Sequence, residues 1–359
     1  MTGLYGLSIG AAFYRECLQG RKIRICRNVT ENTDKKGIFT MRTRELGRGL
    51  IVSAVGLGCM GLSHANGAPT EFNTAVKLLR DAYAAGYTYF DTAETYGFAE
   101  DPHHNEKILG EAFRDMRDKV VISTKFGVSF DYSKDPDHPS LILDSKPETI
   151  RKAVEGSLER LQTDYIDLYF QHRIDPEVEP EVVAGVMKEL MAEGKIRHWG
   201  ISMTDEKYLR RANAVCPVTA IQNMYQLLDA DESLFPVLDE LGIGFTSCCP
   251  MAKGLFSGKY TKASTFEKGD YRGHTTWFAP ETFDNNQALF NVLAETAEKH
   301  NATPAQISLA WMINKKPWMV PIPGSRKLER VIENGRAADI DLTAEEIAEI
   351  DRYTRINNQ

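Results

Sequence analysis

The chain has 359 residues and a formal net charge of −7, with 42% hydrophobic and 26% charged residues. This composition excludes a disordered or collagen-like chain, and the acidic balance excludes the overall electrostatic footprint of a nucleic-acid-binding protein. Six cysteines are scattered along the chain: Cys17, Cys26, Cys59, Cys216, Cys248 and Cys249. They form no C-x-x-C pair, have no matching histidine spacing and follow no signal-peptide pattern. We therefore expect free thiols, no metal and a cytoplasmic protein.

The first forty residues are basic, with seven Lys/Arg against three Asp/Glu, so the other 319 residues carry a net charge of −11. The cluster of Arg21, Lys22, Arg24 and Arg27 is compatible with a membrane or nucleic-acid patch, but we favour a solvated tail. No run approaches the ~18 apolar residues of a transmembrane helix. We predict a poorly ordered or peripheral extension over residues 1–40 and one domain over residues 41–359.

From residue 50 onward, short β-rich apolar runs alternate with longer helical patterns. The eight predicted strands are Leu50–Val55, Tyr87–Phe90, Val120–Thr124, Tyr165–Phe170, Ile196–Ile201, Val218–Gln222, Ile243–Ser247 and Trp318–Ile322. The apolar stripes of two predicted helices are Ala75, Leu78, Leu79 and Ala82, and Ile150, Val154, Leu158 and Leu161. Capping boxes at Thr303–Gln306 and Thr343–Glu346 predict two helices near the C-terminus.

Strands that alternate with helices predict parallel pairing, either in an open doubly wound sheet or in a closed barrel. Eight units over about 300 residues favour the barrel. The segment Gly47-Arg48-Gly49 predicts a hairpin that covers the barrel bottom. The predicted fold is thus an α/β (β/α)8 TIM barrel with an N-terminal β-hairpin and extra C-terminal helices. Long connections over residues 127–146 and 254–301 are expected beside its active-site face.

A glycine-rich segment follows the first predicted strand, because Gly56 to Gly61 match G-x-G-x-x-G and Asp81 lies twenty residues further on. A dinucleotide-binding fingerprint opens directly into a helix, whereas residues 62–69 are typical of a loop. We therefore set the Rossmann interpretation aside. The glycines are expected to let the backbone approach a ligand.

Three predicted strands end in polar groups: Asp91 ends the second, Lys125 the third and His172 the fourth, and a short loop returns Tyr96. The C-terminal ends of barrel strands converge on one mouth. An ammonium stabilises a phenolate, a carboxylate keeps the ammonium charged, and a neutral imidazole can hydrogen-bond a carbonyl oxygen. These residue types predict general-acid reduction of a carbonyl. The competing interpretation is an ordinary buried Asp–Lys pair beside a core Tyr and His.

The segments FDTAETYG, STKFG and LYFQHR resemble the aldo-keto reductases of the bacterial, fungal and plant type with a QHR motif. The resemblance begins at about Met41, so the basic extension is either real or an upstream start-site artefact. It implies a (β/α)8 barrel, NADPH (NADP+) as cofactor and hydride transfer to aldehydes or ketones. In this resemblance Tyr96 is the proton donor, Lys125 and Asp91 tune it, and His172 orients the substrate.

The resemblance also implies a cofactor site. Ser202 and Gln222 fall where the family holds the nicotinamide amide, and Gly324, Ser325, Arg326 and Arg330 fall where it holds the adenosine phosphate. Ser325 is expected to cap a helix that begins at Arg326, and two arginines favour NADPH over NADH. The other implied cofactor contacts are Gly58, Met60, Cys249, Pro250, Met251, Lys253, Gly254, Glu333 and Asn334.

Two positions depart from the family pattern. Met203 follows Ser202 where many relatives have Asn, and Cys248 stands where relatives usually present a Tyr to the nicotinamide. A thiol supplies less contact area than an aromatic ring, so we expect the cofactor affinity, or the redox sensitivity at Cys248–Cys249, to differ.

Three function classes stay open. The leading one is an NADPH-dependent reductase of a small-molecule carbonyl, a monomer or homo-oligomer with no nucleic-acid or membrane partner. The second is a redox-sensing regulatory subunit, because the β subunits of voltage-gated potassium channels resemble the same family. The third is a metal-dependent barrel isomerase or hydrolase, which needs clusters of carboxylates and histidines that the sequence lacks. His103-His104 is interpreted as loop, and Trp277-Phe278 as either pocket lining or loop packing.

Overall fold

The structure is a computed structural model that describes residues 40–65, 67–131, 133, 140–266, 271–354 and 356–357. The predicted extension lies outside these residues apart from Thr40. The strands in chain order are β1 (Thr43–Glu45), β2 (Ile51–Ser53), β3 (Leu57–Gly58), β4 (Tyr89–Asp91), β5 (Val121–Phe126), β6 (Val128–Asp131), β7 (Ser140–Leu143), β8 (Ile166–Gln171), β9 (Ile196–Ser202), β10 (Ala220–Met224), β11 (Ala230–Asp231), β12 (Gly244–Cys248), β13 (Met319–Pro321) and β14 (Ile356–Asn357).

The α-helices are α1 (Phe72–Ala84), α2 (His104–Phe113), α3 (Pro147–Leu161), α4 (Pro180–Ala192), α5 (Glu206–Val215), α6 (Phe235–Leu241), α7 (Pro280–Asn285), α8 (Gln287–Lys299), α9 (Pro304–Lys315), α10 (Leu328–Gly335) and α11 (Ala344–Tyr353). Short 3₁₀ turns span Met60–Leu62, Arg117–Lys119, Ala252–Ser257, Tyr271–His274, Thr276–Phe278 and Arg336–Asp339. None of the helices in the described part of the chain is long and apolar enough to cross a membrane.

Eight strands form one parallel sheet in the order β3–β4–β5–β8–β9–β10–β12–β13, with helices in the connections. The two outer strands meet, because Gly56 N donates to Pro321 O at 3.0 Å and Gly58 N donates to Pro323 O at 3.3 Å. These bonds close the sheet on itself. The predicted (β/α)8 barrel is confirmed, and the open doubly wound sheet is excluded.

The predicted helix signals are also confirmed. The stripe of α1, which includes Ala75 and Leu79, and the stripe of α3, which includes Ile150 and Val154, are buried in the core. Both capping boxes form, with Thr303 at the start of α9 and Thr343 at the start of α11. Polar side chains at these ends satisfy backbone N–H groups that have no partner inside the helix.

The first predicted strand is wrong as a barrel strand. Residues Ile51–Ser53 pair antiparallel with Thr43–Glu45 in the N-terminal hairpin, and the first barrel strand is the two-residue β3. The apolar run has a different cause: Leu50 and Val52 join the small cluster inside the barrel, which includes Phe170. An apolar run alone does not distinguish a barrel strand from a strand that caps the barrel.

The hairpin covers the bottom of the barrel, as predicted. Gly47 forms an antiparallel bridge with Ile243, the residue before β12, and Arg48 Nε donates to Val218 O at 2.7 Å. Both partners precede strands, so the hairpin lies against the amino-terminal strand ends. The opposite end of the barrel is left for the functional groups.

Close packing of the hairpin predicts the effect of Gly244→Ala. A Cβ at this position would lie 1.9 Å from Leu46 O, so the backbone must move, and we expect the free energy of unfolding to fall by about 1–3 kcal/mol. Urea denaturation measures the change. Gly185→Ala is the matched control: its Cβ would meet no atom within 4 Å in the interior of α4, and it should not destabilise. Equal stability of the two variants would contradict the hairpin contact.

The two long connections contain their own elements. The segment after β5 folds into the antiparallel pair β6–β7, with Val128 opposite Leu143. The connection after β12 carries α7 and α8 and a cluster of loop aromatics, in which the rings of Tyr260 and Phe266 lie 5.2 and 4.9 Å from that of Phe278. The Trp277-Phe278 segment therefore takes part in loop packing.

Candidate active site

The carboxyl ends of the barrel strands bring the predicted polar residues together. Asp91 is the last residue of β4, Lys125 lies near the end of β5, and His172 follows β8. β4 pairs with β5, and β5 with β8, so the three residues come from consecutive strands of the sheet. All three side chains are more than nine-tenths buried, so their charged and polar groups are shielded from water.

Lys125 and Asp91 form a buried ion pair, with 2.7 Å between Nζ and Oδ1. Lys125 Nζ also donates to Thr92 O at 2.7 Å, and Asp91 Oδ2 accepts from Ser123 Oγ at 2.7 Å. Burial lowers the pKa of Lys125, but Asp91 and Tyr96 outweigh this effect and the pKa is raised overall. The ammonium therefore stays charged at neutral pH, and both charges are compensated by hydrogen bonds.

Tyr96 lies on the turn after β4, and hydrogen bonds to the backbone carbonyl of Tyr96 hold this turn in place. Its carbonyl accepts hydrogen bonds from Ser63 Oγ at 2.9 Å and from Asn105 N at 3.0 Å. The Tyr96 hydroxyl lies 3.4 Å from Lys125 Nζ. Burial raises the pKa of Tyr96 to about 12, and Lys125 lowers it only in part. The expected direction of the lysine effect is correct, but burial outweighs it and the phenol holds its proton at neutral pH.

The His172 ring meets the Tyr96 ring edge-on, with 5.7 Å between centroids. Burial, Lys125, Arg173 and His64 hold the pKa of His172 well below its usual range, so the imidazole is neutral. Among the described residues its Nδ1 is buried and has no hydrogen-bond partner. A buried polar atom with no partner at the mouth of a barrel is suited to a ligand.

The residues predicted for the amide end lie on the next two strands. Ser202 ends β9, and its Oγ donates to Gln222 O at 2.9 Å. Gln222 Nε2 donates to Asp91 Oδ2 at 2.9 Å. One hydrogen-bonded chain therefore joins Ser202 and Gln222 to the buried ion pair. Met203, where the resemblance leads us to expect Asn, has a left-handed φ of 55°, a conformation that Asn adopts more readily than Met.

The residues predicted for the phosphate end follow β13. Arg326 Nε donates to Gly61 O at 2.5 Å, and Arg330 pairs with Glu333 Oε2 at 2.5 Å. The expected cap is wrong, because α10 begins at Leu328 and the Ser325 hydroxyl accepts from Lys327 N at 3.1 Å in a local turn. A serine just before a helix does not distinguish a cap from a local turn, because such a turn also places a hydroxyl there.

Gly58 and Gly324 lie side by side across the seam between β3 and the segment after β13. A Cβ on Gly58 would lie 2.6 Å from Ile322 O, and one on Gly324 would lie 2.7 Å from Gly58 O. Gly58 therefore leaves space for the backbone of the neighbouring segment, and its contact with a ligand stays a prediction. Gly56 likewise leaves no room for a Cβ beside Tyr89.

The other predicted cofactor residues lie in three places: after β3, on α10 and after β12. Met60 begins the 3₁₀ turn after β3, and Asn334 is buried near the end of α10. Glu333 holds Arg330 and accepts from Thr303 Oγ1 at 2.8 Å. The remaining residues form a segment that directly follows β12, and three of them have a left-handed backbone conformation. They are Cys249, Pro250, Met251, Lys253 and Gly254.

Three residues near the site are not predicted from the sequence, and the first two are Ser123 and His64. Ser123 donates a hydrogen bond to Asp91. Alternate residues of a strand face the same side, so the position of Ser123 two residues before Lys125 indicates that both side chains point the same way. The His64 ring stacks on those of Tyr96 and Phe130, with centroids 5.8 and 5.6 Å apart. No local sequence pattern identifies His64, because it lies in a loop whose position beside Tyr96 depends on the tertiary fold.

A third such residue is Glu94, a partly buried carboxylate two residues before Tyr96 whose Oε1 accepts from Gly127 N at 3.1 Å. Burial raises the pKa of Glu94 to about 8. The paired histidines have local partners: His103 Nδ1 lies 2.5 Å from Glu94 O, and His104 Nδ1 lies 3.0 Å from Asp101 Oδ2. Within the described ranges, no group of three or more His, Cys, Asp or Glu side chains is arranged to hold a metal ion.

Comparison with known proteins gives concordant matches. The family model described as "Aldo/keto reductase family" matches residues 54–355. "Probable aldo-keto reductase 1" from Glycine max is 35% identical over 306 residues, which cover 84% of this chain and 86% of that protein. A glycerol dehydrogenase from Gluconobacter oxydans has a similar structure, with a TM-score of 0.79 and 26% identity over 87% of this chain and 94% of its own. An aldo/keto reductase from Klebsiella pneumoniae, in complex with NADP and acetate, has a TM-score of 0.67 and 26% identity over 89% of this chain and 98% of its own.

Proposed function

This chain belongs to the aldo/keto reductase family, whose members are oxidoreductases that use nicotinamide cofactors on small carbonyl compounds, and from that premise we propose that it is an NADPH-dependent reductase of aldehydes or ketones. One observation carries the proposal. Lys125 Nζ lies between a carboxylate and a phenol, 2.7 Å from Asp91 Oδ1 and 3.4 Å from Tyr96 Oη, inside the barrel mouth.

Each of the four buried residues has a role in this proposal. Tyr96 donates its proton to the oxygen of the substrate carbonyl as the alcohol forms. Lys125 stabilises the phenolate that remains, and Asp91 holds Lys125 charged and in place. Neutral His172, whose Nδ1 has no hydrogen-bond partner among the described residues, orients the substrate carbonyl.

The residues at the mouth fit a nicotinamide dinucleotide. A hydroxyl and an amide, from Ser202 and Gln222, suit the carboxamide of a nicotinamide ring, and the guanidiniums of Arg326 and Arg330 suit a phosphate. The cofactor supplies the hydride when bound. Gln222 also contacts Asp91, so the same side chain serves the cofactor and the ion pair.

Cofactor preference gives a direct test of the phosphate end. Arg326→Ala removes a guanidinium that would make charge-assisted hydrogen bonds worth about 1.5–3 kcal/mol, so we expect NADPH to bind roughly 10- to 100-fold more weakly. NADH affinity should stay near its original value, because NADH lacks the additional phosphate. Titration of intrinsic tryptophan fluorescence measures both constants.

The matched control is Arg352→Ala, which removes an arginine whose side chain is 66% exposed on α11. It should leave both affinities unchanged. If Arg326→Ala weakened NADPH binding and NADH binding equally, this residue would not recognise the additional phosphate of NADPH.

Turnover of the whole chain tests the proposed function. NADPH oxidation, followed across a panel of aldehydes, ketones and quinones, should identify at least one substrate class. A regulatory subunit is the alternative to be distinguished. Negligible turnover on the entire panel, together with a stoichiometric membrane-channel partner in a pull-down, would overturn the proposed reductase.

A further inference from the structure

Two consecutive cysteines lie at the carboxyl end of β12, next to the buried polar group. Cys248 is the last residue of the strand and packs against the apolar cluster inside the barrel. Cys249 follows it in a left-handed conformation, with φ of 53°. Both side chains are partly exposed, whereas the other two described cysteines, Cys59 and Cys216, are 0% and 2% exposed.

The surroundings of the pair favour a thiolate at Cys249. Cys248 and Cys249 are neighbours in the chain, so their thiols influence each other's ionisation. The Cys248 thiol and the positive charges of Lys253 and Arg173 lower the pKa of Cys249, although its burial acts in the opposite direction. The Cys249 thiol and burial raise the pKa of Cys248, on which the charges of Lys125 and Asp91 also act.

The other cysteines do not share these features. Burial raises the pKa of the Cys59 thiol and that of the Cys216 thiol. Reactive cysteines are partly exposed thiolates in electropositive surroundings, and a second thiol nearby can resolve their oxidised form. Among the described cysteines, only Cys248 and Cys249 are partly exposed and adjacent to one another.

We propose that Cys248 and Cys249 form a peroxide-oxidisable dithiol at the mouth of the barrel. The Cys249 thiolate attacks one oxygen of hydrogen peroxide, the O–O bond breaks, and the released hydroxide takes up a proton and leaves as water. Cys249 is then a sulfenic acid. The sulfur of Cys248 attacks the sulfur of Cys249, and the hydroxyl leaves with the Cys248 proton as a second water. The two thiols lose two electrons and two protons, and the peroxide is reduced to water.

The disulfide formed in this way is readily reduced. Consecutive Cα atoms are about 3.8 Å apart across a trans peptide, below the usual range of about 4.4–6.8 Å for disulfides. Closing the bond therefore strains the backbone, and strained, exposed disulfides are the labile ones. Oxidation of this pair is a reversible modification and does not form a structural crosslink.

Oxidation would act on the proposed function, and this step rests on the proposed cofactor site. Cys248 is close enough to the phenol to influence the pKa of Tyr96, and Cys249 belongs to the segment proposed to bind cofactor. We expect bound NADPH to cover the pair and slow its oxidation. We also expect the oxidised chain to bind NADPH more weakly than the reduced chain.

Peptide mass spectrometry on the full chain tests the dithiol independently of turnover. The reduced protein is exposed to hydrogen peroxide, quenched with an alkylating agent and digested. The peptide with Cys248 and Cys249 should lose two hydrogens, resist alkylation and recover both thiols after dithiothreitol. Its oxidation should be at least about tenfold faster than that of Cys216, because a thiolate is the reacting form. Oxidation no faster than that of Cys216 would overturn the proposal.

Single variants test the assigned order of attack. Cys248→Ser should stop at a sulfenic acid on Cys249, which a dimedone adduct reports, and Cys249→Ser should remove rapid oxidation at Cys248. An unchanged oxidation rate in Cys249→Ser would reject this order. Protection by NADPH supports the link to the cofactor site, whereas unchanged oxidation at saturating, fluorescence-verified NADPH overturns that link. If NADPH fails to bind the reduced wild-type chain, the proposed function fails and the disulfide result still decides the dithiol.

Discussion

Tyr96→Phe is expected to lower kcat for carbonyl reduction by about a hundredfold to ten-thousandfold, the range that a positioned general acid contributes. The substitution removes the hydroxyl that lies 3.4 Å from Lys125 Nζ and keeps the ring that packs between His64 and His172. NADPH should therefore still bind. Steady-state NADPH oxidation measures the rate, and tryptophan fluorescence measures cofactor binding in the same preparation.

The control for this variant is Tyr353→Phe, which removes the hydroxyl of a tyrosine that is 37% exposed on α11. It should keep normal kinetics. Near-wild-type turnover in Tyr96→Phe would assign the proton to another donor, and loss of NADPH binding would show that the hydroxyl serves the cofactor instead.

Lys125→Met should damage both stability and activity. It leaves the Asp91 carboxylate buried with Ser123 and Gln222 but without its cation, and breaking a buried pair in this way costs about 3–5 kcal/mol. Tyr96, the proposed proton donor, also loses the ammonium that would stabilise its anion, so we expect kcat to fall by about a hundredfold or more. Urea denaturation measures the free energy of unfolding, and NADPH oxidation measures the rate.

Two further variants separate these effects. Lys262→Met breaks a surface pair with Asp284, in which both side chains are over 60% exposed, and should cost no more than about 1 kcal/mol. Adding Asp91→Asn to Lys125→Met removes the uncompensated charge, so it should recover most of the lost stability and none of the activity. Recovery of turnover in the double variant would mean that the ion pair is structural only.

The part of the site that lies at the carboxyl ends of strands could be predicted from the sequence. Asp91, Lys125 and His172 each follow an apolar run, and parallel strands in a barrel bring their carboxyl ends together, so the residues meet without any side-chain information. The capping boxes at Thr303 and Thr343 were equally predictable, because both partners of each lie within one turn of the chain.

Features that depend on distant segments could not be predicted. Leu50 and Val52 are apolar because they pack into the cluster inside the barrel, and that partner surface is assembled from strands far along the chain. The net pKa of Tyr96 depends on how deeply the fold buries the phenol, which the neighbouring ammonium does not reveal. His64 reaches the site through the path of its loop, for which no periodicity exists.

The seam that closes the barrel has a consequence for its motions. Gly56 and Gly58 donate across it to Pro321 and Pro323, but neither proline has an N–H to donate in return. At these positions the seam therefore has hydrogen bonds from the glycine side to the proline side only. That is half the number of hydrogen bonds that a continuous parallel ladder provides. Local opening has the lowest cost where the fewest bonds must break. In native-state hydrogen exchange, the amides of Gly56 and Gly58 should exchange before those of the central strands β8 and β9, so the barrel opens first along this line.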